Sequence, residues 1–246
     1  PCRSRKMKIQ LVSDLHLDHF SDQGRKRIQS VATDISDMVD VLVICGDLGS
    51  KKSIRYAFSL LSERYKNIVY VTGNHEYYDS RKEEVESVIL ECTEKYSNLH
   101  YLNRNVVEID GKRFVGCSLW YPPSTEVLRY KNSWSDFLCI KDPNWILNEF
   151  EMNRAFLKQE VNTGDIVCTH FLPCWEAVHP KWQGEESNCF FVGNVSDIIR
   201  EKKPLLWLFG HTHQAMTFNL YDTEFYCNPV GYKTESTEYT QNIIEI

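Results

Sequence analysis

Five apolar runs in the sequence each end in a short polar motif, and this repetition constrains the fold more than any other feature. The motifs are Ser-Asp-Leu-His at 13–16, Cys-Gly-Asp at 45–47, Thr-Gly-Asn-His-Glu at 72–76, Thr-His at 169–170 and Gly-His-Thr-His at 210–213. Each follows residues rich in Val, Ile, Leu or Tyr, as is typical of a buried parallel strand. Since ligands bind beyond the carboxyl ends of the strands in open α/β sheets, we expect the five motifs to converge.

The segments between these runs have helical periodicity. Apolar residues recur at three- and four-residue steps in 24–40, 51–65, 80–96 and 148–161, which predicts one amphipathic helix in each. Strands are predicted at 8–13, 41–45, 67–71, 165–169 and in the apolar run before Gly210. This alternation of strand and helix predicts an α/β layered fold, which on its own indicates a doubly wound sheet.

The middle of the chain follows a different pattern. Asp110-Gly111, between 105–109 and 113–119, is a strong signal for an antiparallel hairpin. Two aromatic-rich stretches, 120–145 and 171–194, lack clean periodicity, and we interpret them as ordered surface or lid excursions. A strand at Thr223–Cys227 precedes Asn-Pro-Val-Gly-Tyr at 228–232. We predict one domain over 7–246 and leave the polar, basic residues 1–6 out of the fold argument as a cloning remnant before Met7.

Composition narrows the class of protein. The 246 residues are 42% hydrophobic and 25% charged, which is ordinary for a globular chain. A formal net charge of −6 disfavours a broad nucleic-acid-binding face. No apolar run reaches the roughly 20 residues that span a membrane and no signal-peptide pattern is present, so we expect a cytoplasmic protein. Nine cysteines without a Cys-x-x-Cys motif indicate free thiols in a reducing compartment.

The polar motifs supply a metal-ligand set without thiolates. Its members are carboxylate, imidazole and amide groups: Asp14, His16, Asp47, Asn74, His170, His211 and His213. That mixture favours Mn²⁺, iron, Zn²⁺ or similar ions over a structural zinc site, where cysteines dominate. Residues two apart in a strand-like stretch point to the same side, so the pairs 14 and 16, and 211 and 213, would each present two ligands to one cavity. Seven ligands suit two ions that share a carboxylate better than one tetrahedral ion.

In this order the five motifs resemble the calcineurin-like metallophosphoesterase superfamily, and in particular its small stand-alone prokaryotic and phage-type phosphoesterases. The resemblance implies a central two-sheet mixed β-sandwich flanked by helices, which refines the doubly wound interpretation. It also implies two divalent cations, with Mn²⁺ favoured and Fe, Zn, Ni or Co as alternatives. One cation would be held by Asp14, His16 and His213 and the other by Asn74, His170 and His211, with Asp47 bridging them.

The resemblance implies hydrolysis of a small phosphate ester, a monoester or a diester, with a nucleotide as one example. A hydroxide between the cations would attack phosphorus, and His75 would give a proton to the leaving group. Ser50 stands where Ser/Thr protein phosphatases carry the aspartate that orients this histidine, and where purple acid phosphatases carry a tyrosine ligand, so we expect neither feature. His179, in the long loop 171–194, is a candidate substrate contact. The alternative that it has no functional role is equally well supported by the sequence. Asn228 is expected to stabilise backbone near the site.

Two other functions stay open at this point. The first is a metal-dependent DNA or RNA nuclease of the same superfamily, which would need a basic groove that the net charge does not favour. The second is a scaffold with the same fold and no catalysis, like the retromer subunit that keeps it. Scaffolds of that kind tend to lose ligands or the proton donor, whereas His75 and all seven ligands are present here. We expect no membrane partner, and the sequence carries no signal for an oligomeric state.

Overall fold

The computed structural model describes residues 5–17, 28 and 36–246. The strands are β1 Lys8–Val12, β2 Val41–Cys45, β3 Ile68–Val71, β4 Leu99–Tyr101, β5 Asn105–Ile109, β6 Lys112–Gly116, β7 Ile166–Cys168, β8 Leu206–Phe209, β9 Met216–Leu220, β10 Thr223–Cys227 and β11 Ile243–Glu245. The α-helices are α1 Lys51–Leu61, α2 Lys82–Lys95, α3 Thr125–Tyr130, α4 Ser135–Cys139, α5 Ile146–Glu160 and α6 Ser196–Lys202. Short 3₁₀ helices, including His75–Tyr77, lie between them.

The strands form two mixed sheets. The first has the order β11-β1-β2-β3-β4, in which β1 to β4 are parallel and β11 is antiparallel to β1. The second has the order β5-β6-β7-β8-β10-β9, in which β6, β7, β8 and β10 are parallel and the two edge strands are antiparallel. The parallel strands in the middle of each sheet therefore all end on the same side of that sheet.

The two sheets pack face to face, because alternate residues of their strands enter a shared core. In β2, Val43 and Cys45 belong to that core, together with Phe114 and Leu208 of the second sheet. Ile44, between them in sequence, belongs instead to the cluster under the helices. Strands buried on both faces have no polar alternation, which accounts for the continuous apolar runs of the sequence. The two-sheet sandwich flanked by helices is confirmed, and the single doubly wound sheet is replaced by it.

The helices cover the outer faces of the sandwich. Ile54 of α1 and Val85 of α2 pack on the first sheet, while Leu157 of α5 and Ile198 of α6 pack on the second. The predicted helices 51–65, 80–96 and 148–161 are observed at Lys51–Leu61, Lys82–Lys95 and Ile146–Glu160. Most of the helix predicted at 24–40 lies outside the described residues, and within its last part Ser36–Met38 is a 3₁₀ helix.

Several predictions of local structure need correction. The hairpin at Asp110-Gly111 is confirmed, and both residues have the positive φ that a tight two-residue turn requires, 48° and 77°. The strand predicted at 113–119 ends at Gly116, and Leu119 has a φ of 58°, where the chain turns away. Strands β4, β9 and β11 were not predicted. The stretches 120–145 and 171–194 contain several short α- and 3₁₀ helices.

The described cysteines are free thiols, as the sequence predicted. Of these eight, only Cys139 and Cys189 are not fully buried. Burial raises the pKa of several of them, Cys117 and Cys174 to about 12, so these thiols stay protonated and unreactive. Within the described ranges, no helix combines the length and the apolar character needed to cross a bilayer.

Candidate metal centre

The five polar motifs of the sequence meet at one edge of the sandwich. We call them the site turns: residues 13–16, 45–47, 72–76, 169–170 and 210–213. The turns after β1, β2 and β3 come from the first sheet, and those after β7 and β8 come from the second. All of the predicted ligands except His213 are buried: Asp14, His16, Asp47, Asn74, His170 and His211. The convergence that the sequence predicted is therefore present, and it joins the two sheets.

The site turns are sharply bent rather than extended. The φ angles of Asp14, His16 and Asp47 are 55°, 46° and 53°, and those of His211 and His213 are 70° and 50°. This left-handed conformation costs an L-residue about 1–2 kcal/mol, and such residues cluster at functional sites. The premise that residues two apart share a side through extended geometry is therefore wrong. The ligand pairs face one cavity because the backbone turns at each of them.

Backbone contacts hold these strained turns. The amides of Asp14 and His16 donate to the carbonyl oxygens of Gly46 and Asp47, at 3.0 and 2.9 Å. The amide of Gly210 donates to the carbonyl of His170 at 3.0 Å, which ties the two turns of the second sheet together. Backbone hydrogen bonds thus join the turn at 13–16 to the turn at 45–47, and the turn at 169–170 to the turn at 210–213.

Glycine is required where the turns cross. A Cβ atom on Gly73 would lie 2.1 Å from Oδ1 of Asp47 and 2.6 Å from Nε2 of His170. Gly46 has a φ of 82°, and a Cβ there would lie 2.3 Å from Nδ1 of His170. Both glycines let the backbone of the first sheet approach side chains that reach across from the second.

One group of ligand atoms gathers between the turns at 13–16 and 210–213. Nε2 of His16 is 3.0 Å from Nε2 of His213, and Nε2 of His213 is 3.3 Å from Oδ1 of Asp14. Asp47 approaches the same group, with Oδ2 at 3.7 Å from Nε2 of His16. Two imidazole nitrogens and two carboxylates that face each other this closely are the donor set that a divalent cation binds.

A second group gathers around His170. Its Nε2 lies 3.2 Å from Oδ1 of Asn74, 3.2 Å from Nδ1 of His211 and 3.5 Å from Oδ1 of Asp47. Asp14, His16 and His213 form one cluster that could hold a metal ion, and Asp47, His170 and His211 form another. Asp47 also forms a third such cluster with His16 and His75. Asp47 thus contributes one carboxylate oxygen toward each group.

The hydrogen bonds of three histidines fix which nitrogen faces the centre. Nδ1 of His170 lies 2.8 Å from the carbonyl oxygen of Cys45, which only accepts, so this Nδ1 carries the proton. Nδ1 of His213 is likewise bound to the carboxylate of Glu235 at 2.7 Å. In both residues Nε2 faces the ligand group, in the arrangement typical of metal-binding histidines. Among the described residues, Nε2 of His211 has no hydrogen-bond partner, and its Nδ1 faces the centre. The residues present fit two divalent cations.

Electrostatics favour positive charge at this centre. Burial raises the pKa of Asp14, but the neighbouring His213 and His170 together lower it to about 2. Burial lowers the pKa of His170, whereas Asp47 raises it to about 10. Burial and the neighbouring His170 lower the pKa of His211 far below its usual range. Protonated histidines therefore balance the negative charge of the buried carboxylates. Bound cations would supply that positive charge instead.

Glu76 holds the backbone of two site turns from behind. Its buried carboxylate accepts hydrogen bonds from the amides of Asp47, Leu48 and Gly73, at 3.2, 2.6 and 2.8 Å. The hydroxyl of Tyr70 adds a fourth at 2.9 Å. Burial and the nearby Asp47 raise the pKa of Glu76 to about 8. Its position in the Gly-Asn-His-Glu motif is thus explained by the turn that it supports.

A cavity of about 800 Å³ opens above the centre. Asp47, Asn74, His75, His211 and His213 form part of its floor, and aromatic and polar side chains such as Trp134, Trp182, Phe191, Gln214 and Tyr232 form its walls. Its volume lies within the range of about 300–1,000 Å³ that is usual for small-molecule sites. Of the described residues that line it, Lys181 is the single lysine or arginine.

His75 lies at the edge of the cavity with tyrosines on two sides. Its Nε2 is 3.1 Å from the hydroxyl of Tyr232, and its ring packs against Tyr78 with centroids 4.3 Å apart. Its backbone amide donates to Oδ1 of Asp47 at 3.0 Å. The hydroxyl of Tyr232 contacts the imidazole, while Ser50 is the residue before α1.

Sequence reasoning missed several residues that contact the predicted ligands or His75, Tyr78 among them. Glu235 binds His213, Tyr232 contacts His75, and Asp136 accepts a hydrogen bond from Nδ2 of Asn74 at 2.8 Å. Only Tyr232 had a signal, since it ends the motif at 228–232. In that motif Asn228 donates to the carbonyls of Leu11 and Thr240, both at 2.8 Å, which confirms its backbone role.

His179 lies beside the cavity rather than in its lining. Its Nδ1 accepts the backbone amide of Lys181 at 3.2 Å and so caps the 3₁₀ helix Pro180–Trp182. Among the described residues, those that line the cavity in this loop are Val178, Lys181, Trp182, Ser187, Asn188 and Phe191. Substrate contact by His179 stays a prediction, whereas the nearby Val178 and Lys181 line the cavity.

Comparison with known proteins agrees with this geometry. A family model described as calcineurin-like phosphoesterase matches residues 7–215. The chain therefore belongs to the calcineurin-like phosphoesterase family. The uncharacterized protein L509 of Acanthamoeba polyphaga mimivirus is 26% identical to it over 264 residues, which cover 94% of this chain and 93% of that protein.

Solved structures share the fold at lower identity. Phosphopantetheinyl hydrolase (PptH) from Mycobacterium tuberculosis has a TM-score of 0.71 and 16% identity, covering 98% of this chain and 96% of that one. GAP50, described as the anchor in the inner membrane complex of Plasmodium, has a TM-score of 0.51 and 11% identity, covering 97% of this chain and 76% of that one. One of these proteins is a hydrolase and the other is described as an anchor, so function has to be argued from the site.

Proposed function

We propose that this protein is a dinuclear metal-dependent phosphoesterase that hydrolyses a small phosphate ester. The observation that carries the proposal is the grouping of six candidate ligand side chains around a shared Asp47 at the base of an open cavity. Asp14, His16 and His213 would hold one cation, Asn74, His170 and His211 the other, and Asp47 both. Mn²⁺ is the favoured ion, and Fe, Zn, Ni and Co also suit these ligands.

Bound cations would supply Lewis-acid chemistry, activating water and neutralising the phosphoryl oxygens. The protein's own residues do the remaining work. His75 is half-buried at the cavity edge, next to the proposed ligand Asn74, and is placed to give its proton to the leaving oxygen. Tyr232, 3.1 Å from Nε2, holds the imidazole, and the ring of Tyr78 supports it from the other side.

The cavity walls favour a small ester with an organic leaving group. Trp134, Trp182 and Phe191 offer apolar ring surface around the metal-binding floor. The cavity lining has one lysine and no arginine among the described residues, whereas binding along a nucleic-acid backbone normally uses several cations. These features support a small substrate over the nuclease alternative.

The test uses protein depleted of metal and then loaded with Mn²⁺, Fe²⁺, Zn²⁺, Ni²⁺ or Co²⁺. Hydrolysis is measured on p-nitrophenyl phosphate, bis-p-nitrophenyl phosphate, nucleotides, cyclic nucleotides and short single-stranded DNA, with bound metal counted on the same samples. We expect two ions per chain and cleavage of a small ester. Preference for DNA would support the nuclease alternative. Two bound ions without any cleavage, or no bound ions at all, would favour the scaffold.

A further inference from the structure

A carboxylate from outside the site turns reaches the metal centre. Asp136 lies on α4, within the stretch 120–145, which we call the aromatic segment. Its side chain is 0% exposed, and its Oδ1 accepts a hydrogen bond from Nδ2 of Asn74 at 2.8 Å. Asn74 is the one amide among the proposed metal ligands, so this contact links the aromatic segment to the centre.

An asparagine ligand has a problem of orientation that carboxylates and histidines do not share. Its oxygen and nitrogen have almost the same shape, but only the oxygen can bind a cation. In the structure Oδ1 of Asn74 faces Nε2 of His170 at 3.2 Å, while Nδ2 faces Asp136 and, at 3.1 Å, the hydroxyl of Tyr78. With the amide reversed, its oxygen would face a buried carboxylate that can only accept. Asp136 therefore favours the orientation that binds metal.

The carboxylate is itself fully paired. Oδ1 accepts from Asn74 and from the hydroxyl of Tyr78, at 2.8 and 2.9 Å. Oδ2 accepts from the hydroxyl of Tyr121 and from Nε1 of Trp134, at 2.9 and 3.2 Å. Asn74 and Trp134 contribute N–H groups that can only donate here, one on each oxygen. Both oxygens thus need to be acceptors, which fixes the identity of the residue as a carboxylate.

We propose that Asp136 is a positioning residue for the metal centre, which turns the oxygen of Asn74 toward the cation shared with His170 and His211. This proposal rests on the proposed function, because it takes Asn74 as a ligand. It makes the aromatic segment part of the metal centre rather than a cover over it. The same carboxylate holds the hydroxyl of Tyr78, whose ring supports His75.

The pairing predicts a specific defect and a specific rescue. In Asp136→Asn the new amide must place its NH₂ against either Asn74 or Trp134, and both of these groups are donors. Reversal of the Asn74 amide relieves the first conflict at the expense of the metal ligand. Trp134→Phe removes the second conflict, because phenylalanine has no N–H group. It also keeps an aromatic ring at the position where Trp134 stacks on Phe190, with centroids 4.2 Å apart. The double variant therefore restores an arrangement in which the oxygen of Asn74 faces the cation.

Equilibrium dialysis of metal-depleted protein against Mn²⁺ tests the proposal without any activity assay. We expect Asp136→Asn to weaken one of the two Mn²⁺ sites by about 10- to 100-fold, as is usual for groups that orient ligands, and to leave the other unchanged. Asp136→Asn with Trp134→Phe should recover most of this loss. Glu149→Gln is the matched control, since Glu149 is an equally buried carboxylate that binds Lys82, Arg104 and Asn153 instead. It should lower the melting temperature and keep both Mn²⁺ sites.

The outcomes separate this proposal from the function on which it rests. A wild-type protein that takes up none of Mn²⁺, Fe²⁺, Zn²⁺, Ni²⁺ and Co²⁺ ends the proposed function. A wild-type protein with two ions and an Asp136→Asn variant with unchanged affinities ends the positioning role alone. The positioning role also ends if Asp136→Asn and Glu149→Gln weaken Mn²⁺ binding equally, or if the double variant recovers none of the lost affinity.

A measurement on the wild-type protein covers the case in which Asp136→Asn does not fold. In ¹⁵N-labelled, metal-free protein the side-chain NH₂ of Asn74 should exchange with solvent at least about tenfold more slowly than that of an exposed asparagine, because it is bound to a buried carboxylate. Exchange at the rate of an exposed asparagine would overturn the proposal.

Discussion

The site turns and the aromatic segment both contact the metal centre, yet they are built in different ways. The site turns are short and follow buried strands, and backbone hydrogen bonds join four of them in pairs. The aromatic segment, 120–145, is a run of short helices that reaches the centre through one side chain, Asp136. Strand ends fix where ligand atoms lie, because the sheet fixes the strands. The aromatic segment orients one ligand side chain, the amide of Asn74, and this orientation depends on side-chain packing.

The largest effect should follow from a change at the side chain that both cation groups share. Asp47→Asn removes one negative charge where each proposed cation needs it. We expect kcat to fall by about a thousandfold, equivalent to roughly 4 kcal/mol of transition-state stabilisation. Bound metal should drop below two ions per chain while the circular dichroism spectrum is kept. Full activity with two ions would show that Asp47 is not shared.

A change at His75 separates proton donation from metal binding. His75→Asn should keep two ions per chain and lower kcat by about 100- to 1,000-fold on an alkyl phosphate ester, as is usual for loss of a general acid. The loss should be much smaller on p-nitrophenyl phosphate, because p-nitrophenolate leaves without needing a proton. Tyr232→Phe should show the same dependence on the leaving group with a smaller loss. Equal losses on both substrates would contradict the proton-donor role.

The dependence of the site turns on close backbone packing is tested by a single methyl group. Gly73→Ala places a Cβ within 2.1 Å of Oδ1 of Asp47 and 2.6 Å of Nε2 of His170. We expect Mn²⁺ affinity to fall by about 100-fold, since the substitution displaces the proposed ligands Asp47 and His170 by more than the fit that a metal site tolerates. Isothermal titration of metal-depleted protein measures this change.

Gly111→Ala is the matched control for that substitution. Gly111 has a φ of 77°, but no atom lies within 4 Å of the Cβ that it would acquire. The variant should lose about 1 kcal/mol of stability from backbone strain and keep both Mn²⁺ affinities. If both glycine variants weaken Mn²⁺ binding alike, the effect comes from global destabilisation and not from the crossing of the turns.

The sequence specified the site turns far better than the aromatic segment, for a physical reason. Each site turn follows a buried strand, so a local pattern places its ligands, and the strand at Thr223–Cys227 is predicted to the residue. Asp136 contacts a residue 62 positions away in the chain, within a segment that has no clean periodicity. No local pattern marks such a contact. The same is true of Glu235 beside His213, and of β11, which pairs with a strand at the other end of the chain.

The left-handed φ angles of the site turns were also invisible in the sequence. Asp14, His16 and His213 are not glycines, and nothing in their motifs signals a positive φ. We paired the ligands from the sequence by assuming extended backbone, in which residues two apart point to the same side. The structure instead has left-handed turns at these residues. Strain of this kind is imposed by the tertiary contacts of the turns, which local propensity does not contain.

The smallest effect should come from the cavity rim, by which we mean Lys181 in the cavity lining. Lys181 is exposed and is the one lysine or arginine among the described residues that line the cavity. Lys181→Gln should raise KM by about threefold at low salt and leave kcat and bound metal unchanged, because one surface charge near a phosphate is worth under about 1 kcal/mol in water. Salt should shrink the difference in KM, since exposed charges are screened.

Lys158→Gln is the control, because it makes the same charge change on an exposed part of α5 away from the cavity. If the two variants shift KM equally, Lys181 acts only through net charge, and the rim has no specific part in substrate binding. A fall in bound metal for Lys181→Gln would instead extend the metal centre to the rim, as Asp136 extends it to the aromatic segment.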